Sequence, residues 1–133
     1  YMKQMKKLGV YESSTIIITG DHGKSEDMTS PNTYKTTALF VKPAGSAEGV
    51  LQRSDKPLSH ENFQATVLQA AGVDTSDFGR SIWDVGDNEE VVRQFLYKVN
   101  NPGGRVEEYE IHGDARDFAN WTRIKNHPLK YDH

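Results

Sequence analysis

The sequence predicts a mixed α/β fold, and three observations carry that prediction. Thr15-Ile16-Ile17-Ile18-Thr19 is a β-branched apolar run of strand length that ends at Gly20. Between Ser59 and Gly72, the apolar residues Phe63, Val67, Ala70 and Ala71 recur at helical spacing. Beyond residue 90 the period changes to two. Phe95, Tyr97 and Val99 precede Asn100-Asn101-Pro102-Gly103-Gly104, and Tyr109 and Ile111 follow it. That pattern reads as an antiparallel hairpin with one wet face.

Taken in order, residues 2–8 read as the end of an amphipathic helix, with Met2, Met5 and Leu8 three apart and Gly9 as the stop. Lys3, Lys6 and Lys7 form its solvated face. A chain that opens inside a helix is expected to be a piece of something longer. Residues 15–19 follow as a buried strand, expected to lie parallel to its neighbours in an open sheet. Residues 20–35 are polar and turn-rich without periodicity, a surface loop of the length that usually carries function. Ala38-Leu39-Phe40-Val41 predicts a second short buried strand, stopped by Lys42-Pro43-Ala44-Gly45. Another loop spans 45–56. Pro57-Leu58-Ser59 then introduces the helix, with Ser59 as N-cap, Glu61 favouring the helix dipole and Gly72 closing it. A loop over 73–88 is anchored by Gly79-Arg80-Ser81-Ile82-Trp83. The tail beyond the hairpin holds Trp121 and is expected to fray. Residues 1–88 thus form the α/β part, and 89–133 the hairpin and tail.

Composition narrows the function. The 133 residues are 35% hydrophobic with a mean hydropathy of -0.72, low for a chain that must bury a sheet on both faces. A net charge of -3 argues against a nucleic-acid or anionic-membrane surface. No apolar stretch approaches the roughly 20 residues of a membrane span, so no membrane contact by this segment is expected. Without cysteine there is neither a disulfide frame nor thiolate chemistry.

The chemistry concentrates in Asp21-His22-Gly23, at the exit of the first strand. Ligands bind at the carboxyl ends of strands in open α/β sheets. One carboxylate oxygen beside one imidazole nitrogen suits a divalent cation such as zinc or manganese. The plainer reading is a turn in which Asp21 caps the next segment. His60 is either a third ligand from the helix start or, more commonly for such a residue, a local cap or packing group. Arg80 either meets a substrate anion or, the better reading, braces the loop around Asp77 or Asp84. Phe95, Tyr97, Tyr109 and Trp121 read better as hairpin packing than as a recognition surface. Glu107, Glu108 and Glu110 read as a solvent-facing edge whose charge discourages sheet-to-sheet association. His112 reads as a solvated turn residue, and His127 and His133 as bystanders in the tail.

The order of these parts resembles a known family. Lys7-Leu8-Gly9-Val10-Tyr11-Glu12-Ser13-Ser14 and the strand through Asp21-His22-Gly23 are similar to the segment that carries a metal-binding Asp-His in sulfatases. Those enzymes belong to the alkaline phosphatase superfamily, with lipoteichoic acid synthases and phosphoethanolamine transferases. Thr37-Ala38-Leu39-Phe40-Val41-Lys42-Pro43-Ala44-Gly45 resembles the family's next strand, and 59–73 its following helix. Gly79-Arg80-Ser81 is similar to the short loop after it. The resemblance covers roughly residues 1–83.

It implies the C-terminal part of an alkaline-phosphatase-like α/β/α sandwich, whose nucleophile (Thr, Ser or a modified Cys) lies in the preceding half. Thr15 and Ser25 flank the site without a nucleophile context. Asp21 and His22 match the family's metal ligands, and the metal (zinc, manganese, calcium or magnesium) is left open. Many sulfatases carry another His and a Lys in the loop after Asp-His-Gly. Residues 24–35 contain no His, while Lys24 and Lys35 are placed to meet an anionic substrate group. That departure weighs against a strict sulfate-ester hydrolase and leaves a phosphoryl-group transferase open. The implied substrate is a sulfate or phosphate ester, and the implied setting is the cell envelope or extracellular space. The principal partner is the missing N-terminal part of the same domain. Alone, the segment is expected to be inactive, because two side chains are too few for a four-coordinate ion. It is also expected to self-associate through an uncovered sheet face. The alternative is a non-catalytic α/β interaction module in which Asp21-His22 is only a turn.

Overall fold

The structure, a computed structural model, describes residues 1–23, 36–46, 49–99 and 104–128. Helix α1 spans Met2–Lys7 and strand β1 spans Ile16–Thr19. Strand β2 covers Leu39–Lys42, helix α2 covers Glu61–Ala70, and strands β3 and β4 cover Val92–Val99 and Arg105–His112. A 3-10 turn at Phe118–Asn120 leads into β5, Trp121–Pro128. The fold is mixed α/β with two antiparallel sheets, β1-β2 and β3-β4-β5. Among the described residues these sheets do not form a layered sandwich.

The first sheet departs from expectation in direction and in burial. β1 runs antiparallel to β2, with Ile16 opposite Lys42 and Thr19 opposite Leu39. Parallel pairing needs a crossover, usually a helix, and residues 20–36 carry no helical period. Nor are the strands buried: Ile18 is 46% and Phe40 49% exposed. Their apolar character is real, but among the described residues Ile16 and Ile17 are only half-buried, beside Met2 and Met5 of α1. The preceding connector is pinned from both sides. Thr15 Oγ1 accepts from Ala44 N at 3.1 Å, and Gly45 N donates to Glu12 O at 2.7 Å. Lys42 Nζ donates to Ser14 O at 3.3 Å and lies 4.8 Å from the Tyr11 ring centroid.

α2 ends as expected, with Gly72 at φ +76° just past its last turn. At its start the helix proper begins one residue late, and His60 holds the cap position. Ser59 still does the capping work. Its Oγ accepts from Glu61 N at 3.3 Å, while Asn62 Oδ1 accepts from Ser59 N at 2.9 Å, a reciprocal arrangement of capping-box type. The buried face is not the expected one. Ala65 and Thr66 are buried, whereas Phe63 and Val67 are exposed. Thr66 Oγ1 accepts from Ile82 N at 3.0 Å, joining the helix to a segment where Ser81 and Val85 are also buried.

The hairpin is as the alternation predicts, with Phe95 opposite Tyr109 and Val99 opposite Arg105. Its turn, 100–103, lies outside the described residues. The tail is not frayed through residue 128. β5 pairs with β4, Trp121 opposite Ile111, with a register shift at Glu108/Tyr109. β4 is therefore the central strand. Tyr109, Ile111 and Trp121 are buried together, with Phe95, Tyr97 and Ala115 packed against them. The aromatics are packing groups, as the alternation suggested.

That third strand overturns the reading of the acidic run. Glu107 is 5% exposed and faces inward. Its carboxylate accepts from Arg105 Nε at 2.8 Å, Tyr109 OH at 2.6 Å and Arg123 Nη1 at 3.4 Å. Glu108 accepts an N–H of His127 at 2.8 Å across the sheet, so His127 ties strands together rather than standing by.

Candidate metal centre

β1 delivers Asp21 and His22 from its carboxyl end, and the junction is built around Gly20. Gly20 N donates to Thr37 Oγ1 at 3.1 Å, and Thr37 Oγ1 donates back to Gly20 O at 3.1 Å. His60 Nε2 lies 3.0 Å from the same carbonyl. The strand exit is thereby tied to the approach to β2 and to the start of α2. A Cβ at Gly20 would sit 2.5 Å from Thr37 Oγ1 and 3.2 Å from His22 O. Gly20→Ala is therefore expected to lower stability by about 1–3 kcal/mol and to displace the Asp-His turn, measured by urea unfolding. A loss below half a kcal/mol would show that Thr37 simply rotates away.

Beyond Gly20 the pair projects into solvent, the Asp21 side chain 92% and His22 66% exposed. Asp21 Oδ1 accepts from His22 N at 3.0 Å. His22 Nδ1 lies 2.8 Å from Gly23 O. A carbonyl only accepts, so Nδ1 carries the proton in that contact, and Nε2 is the nitrogen that a neutral ring leaves for a cation. Nε2 is the nitrogen on the Asp21 side, 3.8 Å from Oδ1. A backbone carbonyl on the second ring nitrogen is the usual support for a ligating histidine. The donor set thus fits two positions of a divalent cation's shell and does not complete one. Among the described residues, no three His, Cys, Asp or Glu side chains converge on a common point.

His60 makes no side-chain cap on its own helix and reaches instead a carbonyl 40 residues away in sequence. Its Nε2 engages the Gly20 carbonyl, which places His60 as a brace beside the pair. Thr15 likewise spends its hydroxyl on the chain, supporting Ala44 N. Lys24, Lys35, Ser25 and His133 lie outside the described residues.

Arg80 braces its loop. Its guanidinium donates to Glu89 Oε1 at 2.5 Å and Oε2 at 2.9 Å, and to Asp84 O. The Arg80 hydrogen bond, then the Gly86 N–H, hold the Glu89 carboxyl at about 2, well below its ordinary range. Asp84 accepts from Ser81 Oγ at 2.7 Å and Ser81 N at 2.9 Å, which also lowers its pKa. His112 is exposed and 3.5 Å from Glu110 Oε2.

Two contributors were not singled out from sequence. Thr37 is a lone hydroxyl before an apolar strand, and no local pattern marks it. Arg93 was legible: it shares the alternation of Phe95 and Tyr97, so an arginine falls on the inner face. It is 8% exposed, and burial lowers its pKa against the opposing pull of Asp114.

The chain is similar to lipoteichoic acid synthases of Staphylococcus aureus, among them those of strains USA300 and COL. Each is 28% identical over 109 residues, covering 68% of this chain and 16% of the relative. The chain therefore spans about a sixth of the length of the curated relatives it matches. No family model matches the chain. No solved structure gives a significant match. The relatives carry a name from the group that the strand and Asp-His-Gly stretch resemble.

Proposed function

We propose that this chain is the C-terminal part of a sulfatase-like catalytic domain of α/β/α sandwich type, acting on phosphate or sulfate esters. The observation that carries this reading is the β1 exit, where Asp21 and His22 stand side by side with the histidine's Nδ1 on the Gly23 carbonyl. The distant similarity to lipoteichoic acid synthases supports it. A synthase is a bond-forming enzyme, which favours group transfer over hydrolysis. Asp21 supplies negative charge to the cation, and neutral His22 supplies Nε2. The remaining ligands and the nucleophile come from the rest of the domain. A divalent metal in such a site activates a hydroxyl and offsets charge on the oxyanion. The half-exposed apolar faces of β1 and β2 fit a segment that lies against the missing part, or self-associates without it.

Asp21→Ala and His22→Ala in the full-length protein are expected to lower bound metal and to cut turnover of aryl phosphate or aryl sulfate. Losing a supporting group to a metal ligand costs 10–100-fold, so losing a ligand itself is expected to cost at least about 100-fold. Metal content and activity unchanged in both variants would overturn the assignment. That result would favour the interaction-module reading, to which the hydrogen bonds of His22 N with Asp21 Oδ1 and of His22 Nδ1 with Gly23 O also lend weight.

A further inference from the structure

Packing does little to hold the turn that carries the two candidate metal ligands. The Asp21 side chain is 92% exposed, so the direction of its carboxylate depends on the backbone beneath it. That backbone is fixed one residue earlier. The Gly20 carbonyl shares its peptide plane with the Asp21 nitrogen, and donors from two separate elements meet on it. Thr37 Oγ1, from the approach to β2, donates at 3.1 Å, and His60 Nε2, from the start of α2, lies at 3.0 Å. A carbonyl only accepts, so Nε2 of His60 carries the proton in that contact. The Thr37 hydroxyl also accepts from Gly20 N at 3.1 Å, which spends its hydrogen and a lone pair on one residue. Both backbone polar groups of Gly20 are thereby held. The fit is close, since a Cβ at Gly20 would sit 2.5 Å from the Thr37 oxygen.

His60 stands at the cap position of α2 and yet gives that helix no side-chain cap. Thr37 precedes β2, which begins at Leu39, so its hydroxyl serves the strand exit opposite. The two converge on the one peptide that leads into the ligand pair. We infer that Thr37 and His60 are positioning residues for the metal centre, their joint grip on the Gly20 carbonyl orienting the Asp21-His22 turn so that both ligands can reach one cation. This inference rests on the metal reading proposed above. Neither residue touches the ion in this role, and His60 acts through Gly20 rather than as a third ligand. A turn already oriented loses less conformational freedom when a cation binds, and that saving appears as affinity.

The test titrates manganese ion alone into the metal-free full-length protein by calorimetry, with Asp21→Ala as the control that removes a ligand. Thr37→Val and His60→Ala are each expected to weaken binding about tenfold, the low end of the range for a group that supports a metal ligand. Thr37→Ser keeps a hydroxyl and His60→Gln keeps an N–H donor, so both are expected to stay within about threefold of the parent. His60 is exposed, so its variants decide the matter even where Thr37→Val does not fold. Parental affinity in folded Thr37→Val and His60→Ala, with binding lost in Asp21→Ala, overturns the positioning role and leaves the metal reading standing. Equal weakening in His60→Ala and His60→Gln also overturns it, because the hydrogen bond is then not what matters. Binding unchanged in Asp21→Ala as well overturns both readings together.

Discussion

Trp121→Ala is expected to lower the unfolding free energy by about 3–5 kcal/mol, the range for removing a buried large aromatic. Trp121 is the hub of the larger core. Its ring centroid lies 5.5 Å from Phe95, 5.8 Å from Tyr109 and 5.9 Å from Phe118, two of these contacts edge-on. Its Nε1–H donates to Ala115 O at 3.0 Å, pinning the bend between β4 and β5. Alanine removes the packing against all three rings and leaves that carbonyl without its donor. Trp121→Phe keeps an aromatic ring and is expected to recover most of the loss. The missing hydrogen bond alone accounts for about 1 kcal/mol. Urea unfolding followed by far-UV circular dichroism measures both. An alanine variant within 1 kcal/mol of the parent would show that the core does not centre on Trp121.

Trp121 also shows how far the sequence can be read. Its place in a packed cluster followed from its type, but its strand did not. Residues 121–128 include Thr122, Arg123, Lys125, Asn126 and His127, and this polar run resembles a tail. It becomes a strand because β4 offers a complete edge of backbone donors and acceptors, and because Trp121 anchors one end. Neither reason is local to 121–128. Hairpin alternation at Phe95–Val99 and Tyr109–Ile111 was legible because period two is itself a local signal. Helix stops at Gly9 and Gly72 were legible for the same reason, since both glycines take positive φ.

The antiparallel direction of β1 does not follow from its sequence, because a β-branched run specifies a strand and not its neighbour. The helical period marks Phe63 and Val67 as an apolar face, yet both are exposed among the described residues. At the site, Asp21 and His22 were legible as a pair of adjacent donors. Their braces, Thr37 and His60, come from 17 and 40 residues away from Gly20, beyond the reach of local pattern.

Glu107 supplies the second large effect. Glu107→Gln is expected to cost about 2–3 kcal/mol. Breaking a fully buried pair costs about 3–5 kcal/mol, and the half-exposed state of Arg105 and Arg123 lowers that figure through solvent screening. The carboxylate sits between two cations and a phenol, and a neutral amide satisfies none of them fully. Burial alone would raise the Glu107 pKa. The hydrogen bonds from Tyr109 and Arg105 outweigh it and hold the group below its ordinary value. Glu107 therefore stabilises the fold above the usual carboxylate range, and the contribution is lost as pH falls through its lowered pKa. Tyr109 behaves in the opposite sense. Burial, then the adjacent Glu107 carboxylate, push its phenol up to about 12. Its contribution is complete below pH 10, where the unfolded phenol begins to ionise, and disappears as pH rises towards about 12. In Glu107→Gln the tyrosinate absorbance of Tyr109 is expected to appear at lower pH, because the carboxylate's share of the shift is gone while the burial remains. A Tyr109 titration unmoved by the substitution would mean that burial alone raises it, and that the hydrogen bond to Glu107 contributes little to holding β4 at the centre of the sheet.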